Sequence, residues 1–412
     1  MGKLPSGVTL PHRAWRMLPP RMRRRIALAA MSRMAPRISA TPPAGGSGII
    51  VAGELSRASG LGESARLMLR ALEQLGIACW PLDIGPLLPA HRADMPAPVA
   101  RELPPDAALV LHVNAPMLPM VSLRLPRGLT VARRVIGYWA WELPSVPPDW
   151  RIGARFVHEA WVPSRFTAAA LETLLPGRVR VVPHPVALAG GTPATLDRGA
   201  FGLPDDAVVV LVSANLASSF ERKNPLAAIA AFRAAFGERM DRVLVLRLGN
   251  PDHFPDDFAR VAAMVSGVPN IRVETRMLPP ADALAFTAAA DIVLSLHRSE
   301  GFGLVLAEAM KLGKPVVATG WSGNMEFMDE SVAMLVPFRM IEARDPRGVY
   351  QAPGAVWAEP DVAAAAAMLR RLADDPGLRA GMGARGRQAA ARLDGEALRA
   401  AVRSIGVAVG AA

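Results

Sequence analysis

From Gly48 onward, short apolar runs alternate with amphipathic segments. Gly48–Gly53 reads as a buried strand, and a loop with Gly53, Gly60 and Gly62 follows. A helix is expected from near Glu63: Ala65, Met68, Leu69, Leu72 and Leu75 recur at helical spacing, and Gly76 stops it. Further strands are expected at Ala108–Val113, Val135–Trp139 and Val179–Val182, the last after a helix over about Ser164–Leu174. A Gly- and Pro-rich break covers 189–206. The alternation then resumes with strands at Val208–Ala214, Arg242–Leu248, Ile271–Thr275, Asp291–Leu296, Pro315–Thr319 and Ala333–Val336, and with helical segments near Asp361–Leu372 and Leu378–Val407. Apolar runs separated by helices point to parallel sheets covered on both faces. The expectation is an α/β chain of two doubly wound, Rossmann-like domains facing a cleft, with ligands at the carboxyl ends of the strands. The boundaries read as a tail over 1–47, an N-terminal domain over 48–188, a linker over 189–206, a C-terminal domain over 207–395, and a last helix over 396–412 that packs back on the N-terminal domain.

Length agrees with two domains, because 412 residues exceed one ordinary core. The single cysteine, Cys79, excludes an internal disulfide and fits a reducing compartment. No apolar run approaches the roughly 18 residues that span a bilayer. A protein on the cytoplasmic side is expected. The net charge of +11 is concentrated: Lys3, Arg13, Arg16, Arg21, Arg23, Arg24, Arg25, Arg33 and Arg37 precede Gly48 without one acid, which leaves +2 for the remainder. A basic tail on a nearly neutral body argues against nucleic acid as the partner. It suits an anionic membrane surface, since Trp15, Leu18, Met22 and Ile26 are interleaved with the cations.

The most informative segment is Ser299-Glu300-Gly301-Phe302-Gly303-Leu304-Val305-Leu306-Ala307-Glu308. It leaves a predicted strand and opens a helix. Gly301 and Gly303 let backbone N–H groups approach an anion, and the helix start adds positive potential. Glu300 at the loop mouth can accept from sugar hydroxyls, and Glu308 can take both hydroxyls of a ribose. A second cluster, Arg222-Lys223-Asn224-Pro225, follows the first strand of the same domain, with Pro225 suited to a first helical turn. In the N-terminal domain, Trp141 and Glu142 follow a predicted strand and should border the cleft, the indole against a sugar face and the carboxylate on a hydroxyl. His184, between Pro183 and Pro185, reads as structural. The histidines and aspartates show no metal-ligand spacing, so no metal and no cofactor are expected.

The Glu300-to-Glu308 segment resembles the Glu, seven residues, Glu signature of retaining glycosyltransferases of family four, which have the GT-B fold. The resemblance covers 48 to about 395. It extends to Gly313–Thr319 and to Ser322-Gly323-Asn324-Met325-Glu326, where serine replaces the first glycine of the family's Gly-Gly-x-x-Glu loop. It implies that Glu300 contacts the donor sugar and Glu308 the ribose. It places Gly301, Phe302, Gly303 and Leu304, with Ser322, Gly323 and Asn324, around the donor, and Lys223 on the diphosphate. The family's earlier arginine is missing here, at Ala217 and Ser218, and Arg222 is the substitute. Gly60 and Gly62 match its N-terminal glycine loop, and Glu142 or His112 takes the place of a family histidine. The resemblance further implies a metal-independent hexose transfer with retention, from a nucleotide-sugar donor to a glycan or lipid-linked acceptor. The wording of 222–225 and 321–324 resembles bacterial polysaccharide-assembly members, which makes GDP-mannose the first donor to test. A GT-B phosphorylase, a sugar-nucleotide epimerase, and a membrane or nucleic-acid adaptor built on the tail are the rivals.

Overall fold

The computed structural model describes residues 17–89, 93–350 and 354–409. Residues 1–16 of the basic tail, with Lys3, Arg13, Trp15 and Arg16, lie outside it. Two six-stranded sheets carry the molecule, and within each sheet all pairings are parallel.

The N-terminal sheet holds β1 (Ile49–Gly53), β2 (Cys79–Asp83), β3 (Ala108–Leu111), β4 (Val135–Tyr138), β5 (Glu159–Val162) and β6 (Val179–Val181), in the order β2-β1-β3-β4-β5-β6. The C-terminal sheet holds β7 (Val208–Asn215), β8 (Arg242–Gly249), β9 (Ile271–Glu274), β10 (Ile292–Ser295), β11 (Val316–Thr319) and β12 (Met334–Val336), in the order β12-β11-β10-β7-β8-β9. β1, β3, β4, β5 and β11 are buried at every position, as expected of strands covered on both faces. The strand order reverses beside β1, between β1 and β3, and beside β7, between β7 and β10. Crevices that receive ligands open at such points, outside the carboxyl ends of the strands. The glycine loop follows β1 at the N-terminal switch point, while the Arg222-Lys223 cluster after β7 and the Glu300 loop after β10 share the C-terminal one.

Five local expectations change, the first being β5, which is not among the expected strands because its four residues are few and open on the charged Glu159, although all are buried. The helix expected near Glu63 begins at Gly60 and runs to Gln74, because the Ser59 hydroxyl accepts from Gly62 N and starts it a turn earlier. The long helix expected over 378–407 is two, Pro376–Ala391 and Glu396–Ser404, separated at Gly395 with φ +90°. β2 escaped notice because it is an edge strand that is only partly buried and carries Pro81. An antiparallel hairpin, β13 (Phe338–Glu342) with β14 (Val356–Pro360), follows β12; β13 is largely exposed and lacks a clear alternation.

The tail contains a helix, Pro20–Met34, whose Leu28 is buried and which is followed by buried Ala35. At the other end Leu398, Ala401, Val402, Ile405 and Val407 join one apolar cluster with Ile49, Leu72 and Val186 of the N-terminal domain and with Leu306 and Met310 of the C-terminal domain. Gly45 N donates to Ile405 O at 2.6 Å.

Candidate functional site

Lys223 and Glu300 meet at the switch point of the C-terminal sheet. Lys223 Nζ stands 2.5 Å from Glu300 Oε1, and Arg222 Nη1 stands 3.1 Å from Glu300 Oε2. Burial alone would raise the Glu300 pKa, but Lys223, Arg222 and His297 outweigh it and hold it at about 2. Ser213, Ser295, Gly303 and Val305 line the same small pocket with them.

The loops around this pair are strained at named positions. Four non-glycine residues among those described have positive φ, and three of them flank the site: Ser219 at +73°, Asn224 at +51° and Ser322 at +84°. Ser219 and Asn224 bracket the turn that presents Arg222 and Lys223. Ser322, with ψ −150°, occupies a region open almost only to glycine. That accounts for the glycine the family places there, and the serine here uses its hydroxyl, which accepts from Glu300 N at 2.8 Å. Gly323 N donates to Glu300 O at 2.8 Å, and a Cβ on Gly323 would meet Gly301 O at 2.2 Å, so these two loops admit nothing larger. Asn324 is fully buried, bonded to Thr319 O at 3.0 Å and within 3.1 Å of His297 Nε2. His297, whose pKa burial lowers, was not singled out from the sequence; its place three residues before Glu300 was the available signal.

Arg222 departs from its expected role. It is 4% exposed, with Nη1 donating to Ser299 O at 2.7 Å and Nη2 to Ser218 O at 3.0 Å. Its guanidinium ties the Ser299–Glu300 loop to the turn that carries Ser218 and does not line the pocket. Lys223 is the cation that lines the pocket.

Glu308 lies one turn into the Leu304–Lys311 helix, whose start is set by Gly303 at φ +94°. Burial and the nearby Glu63 raise its pKa to about 7, against the pull of Arg247, Lys311 and Arg70. Glu63 belongs to the Gly60–Gln74 helix, so this carboxylate looks across the cleft to the N-terminal domain. Arg247, at the end of β8, and Glu63 gave no distinguishing signal in the sequence. Phe302 also reaches across, edge-on to His184 at 4.9 Å, and burial lowers the His184 pKa to about 3.

The N-terminal domain clasps the same loop. Ser164 Oγ and Thr167 Oγ1 donate to Gly301 O at 2.7 and 3.3 Å. The Glu326 carboxylate accepts from Arg165 N at 2.7 Å and pairs with its guanidinium at 2.9 Å. Glu142 joins the site through Arg222, at 3.8 Å, and through its carbonyl, which accepts from Ser299 Oγ. Leu304 is partly buried beside Gly303.

Three N-terminal residues sit differently from expectation. The Trp141 indole is packed against Trp150 and Tyr350 and 4% exposed, with Nε1 donating to Ser145 O, so it offers no face to a sugar. Aromatic surface next to a parallel sheet is drawn into the core before it is left to water. His112 is 1% exposed, stacked on Tyr138 and within 2.9 Å of Ser64 Oγ, at the end of β3 but under the glycine loop. Gly62 serves the turn, since a Cβ there would meet Arg57 O at 2.5 Å; Gly60 has open space. The Leu55 and Ala58 amides of this loop donate to Asp83 and Asp94. Among the described residues, no three His, Cys, Asp or Glu side chains gather as a metal site.

Residues 207–374 match the family described as glycosyl transferases group 1. The match lies within the C-terminal domain and takes in 168 of the 412 residues. Curated relatives are D-inositol 3-phosphate glycosyltransferases, from Nocardioides sp. (30% identical over 183 residues, 42% of this chain and 39% of that one) and Salinispora arenicola (30% over 216 residues, 50% and 44%). The chain thus spans less than half the length of these relatives. Among solved structures, HepE of Anabaena, in complex with UDP and glucose, superposes with TM-score 0.60 at 15% identity, covering 86% of this chain and 99% of that one. WaaG, a glycosyltransferase of lipopolysaccharide biosynthesis, gives 0.56 at 15% over 87% and 99%. Sucrose-phosphate synthase of Thermosynechococcus elongatus gives 0.59 at 17% over 88% and 98%. The architecture is GT-B: two Rossmann-like domains, and Lys223, Glu300 and Glu308 lie in the one that the group 1 family model matches.

Proposed function

We propose that this protein is a metal-independent glycosyltransferase that moves a hexose, with retention, from a nucleoside-diphosphate donor to a hydroxyl of a glycan or lipid-linked acceptor. The observation that carries the reading is the Lys223–Glu300 pair at the switch point of the group 1 domain. A transferred sugar leaves a β-phosphate that gains charge while its anomeric carbon becomes cationic. An ammonium and a carboxylate side by side match that separation of charge. Lys223 meets the phosphate, with the start of the Leu304–Lys311 helix adding its dipole, and Glu300 faces the sugar. Glu308 takes the ribose hydroxyls. No side chain is assigned as a nucleophile; the acceptor hydroxyl attacks from the leaving-group side and the departing phosphate receives its proton.

Two donors lead the test. GDP-mannose follows from the wording of 222–225 and 321–324, and UDP-glucose from the UDP and glucose seen in HepE. Thermal-shift titration with UDP, GDP and ADP identifies the base, because a ligand held only by the folded state raises its stability. Incubation of the matching sugar nucleotides with glycan and lipid-linked acceptors then reads transfer, and NMR of the product reads the anomer. Release of free sugar regardless of acceptor, or an inverted product, overturns the reading. The basic tail is assigned to an anionic membrane surface, where a lipid-linked acceptor resides; its exposed Met22, Ile26, Arg33 and Arg37 support this. No helix among the described residues is long and apolar enough to cross a membrane.

A further inference from the structure

The hairpin after β12 reaches out of its own domain. Phe338 pairs with Pro360 and Glu342 with Val356. Ala343, Tyr350, Ala355 and Trp357 are buried in one apolar cluster with Trp139, Trp141 and Trp150. The turn that carries Tyr350 is held from inside. Asp345, 2% exposed, accepts from Val349 N at 2.9 Å and from Arg347 N and Tyr350 N at 3.3 Å each. Arg347 bolts the turn to the C-terminal domain: it donates to Leu216 O at 2.6 Å, pairs with Asp257, and lies 4.0 Å over the Phe254 ring. Tyr350 therefore travels with the C-terminal domain.

Its hydroxyl nevertheless donates to Glu142 Oε2, in the N-terminal domain, at 2.9 Å. Its ring lies 5.4 Å from Trp141 and 5.8 Å from the Arg222 guanidinium. Arg222 stands between two carboxylates, 3.1 Å from Glu300 and 3.8 Å from Glu142. Glu142 Cγ is 3.7 Å from where a Cβ on Gly301 would be, so this carboxylate borders the catalytic loop.

We propose that Tyr350 is a positioning residue of the site: from the β13–β14 arm it orients the Glu142 carboxylate beside the Arg222–Glu300 pair, so that the acceptor wall of the cleft is assembled from both domains. The functional part rests on the transfer reading and adds to it that Glu142 accepts a hydrogen bond from a second hydroxyl of the acceptor, beside the one that attacks. Glu142 Oε2 is committed to Tyr350, which turns Oε1 toward Arg222 Nη2, 3.8 Å away. The charged and titratable groups facing Glu142 are Arg222, Tyr350, Glu300 and Lys223. Burial raises the Glu142 pKa, while Arg222, the Tyr350 hydroxyl and Lys223 pull it down. Removing the hydroxyl takes away a donor to the ionised form, so the pKa of Glu142 rises further.

Tyr350→Phe keeps the ring and removes only the hydroxyl. The expected result is a fall in kcat of about tenfold with donor KM unchanged, and an acid limb of the pH–rate profile moved to higher pH. Carbon-13 NMR of glutamate-labelled protein, with the Glu142 signal assigned by Glu142→Gln, reads the same carboxyl without any turnover; its midpoint should rise in Tyr350→Phe. An unchanged midpoint overturns the proposal whether or not the enzyme transfers sugar. A raised midpoint with an unchanged rate and limb overturns the acceptor role. If the wild type transfers nothing while the midpoint moves, the transfer reading fails and the cross-domain link stands.

Discussion

Lys223 and Glu300, 77 residues apart in the chain, face each other at 2.5 Å from two loops that leave neighbouring strands, β7 and β10. Each is the other's partner before any phosphate arrives. On the proposed transfer reading, a phosphate that engages Lys223 shares it with Glu300, so the cation and the carboxylate are linked in what they contribute.

Lys223→Ala should therefore lower turnover more than it weakens the donor. Charge on the leaving phosphate grows toward the transition state, and an ammonium there acts mainly on the barrier. A loss of about a hundredfold in kcat, with donor KM changed severalfold at most, is expected from steady-state kinetics. Normal transfer by the variant removes Lys223 from the phosphate.

The two glutamates should separate. Glu300→Gln keeps the shape and loses the charge beside the sugar, cutting transfer by roughly a hundredfold, while the bare nucleoside diphosphate binds nearly as before. Glu308→Ala should weaken that diphosphate, because the ribose hydroxyls lose their acceptor. Calorimetric titration beside transfer rates reads both; the opposite pattern reverses the assignment.

Glu308 also predicts a pH signature. Its folded pKa of about 7 exceeds the ordinary 4.5, so the folded state binds the extra proton. Stability contributed by the protonated group is fully present below 4.5 and is lost as pH rises through about 7. Glu308→Gln should be neutral at low pH and should stabilise above pH 7, by about 1–2 kcal/mol after allowance for the side chain's partial exposure. Thermal melts across that range measure it. If the ribose needs the carboxylate, wild-type binding at pH 7 releases a proton that the variant does not, read by calorimetry in buffers of different ionisation heat.

The tail should hold the protein on anionic vesicles. Deleting 1–47 would uncover Leu28 and Ala35 contacts, so the cleaner variant is Arg33→Glu with Arg37→Glu. At about 1 kcal/mol for each cation near the surface, vesicle affinity should fall at least tenfold in a co-sedimentation assay. Unchanged sedimentation detaches the tail from the membrane.

The sequence by itself determined the alternation of strand and helix, the break near 189–206, and the glycine-flanked carboxylates of 300–308. These are local properties: the period of burial sets strand or helix, and a glycine or a capping serine sets a turn. β2, β5 and the hairpin were illegible: β2 is a partly buried edge strand, β13 is largely exposed, and β5 is buried but only four residues long and opens on Glu159. Only the tertiary structure decided which cation faces the pocket. Arg222 and Lys223 are adjacent and equally charged in the sequence, and the direction of one turn buries the first and presents the second. It likewise turned Trp141 into the core and brought Tyr350 to Glu142, 208 residues away and in the other domain. Such pairings depend on strand order at a switch point and on how two domains dock, and no local pattern carries that information.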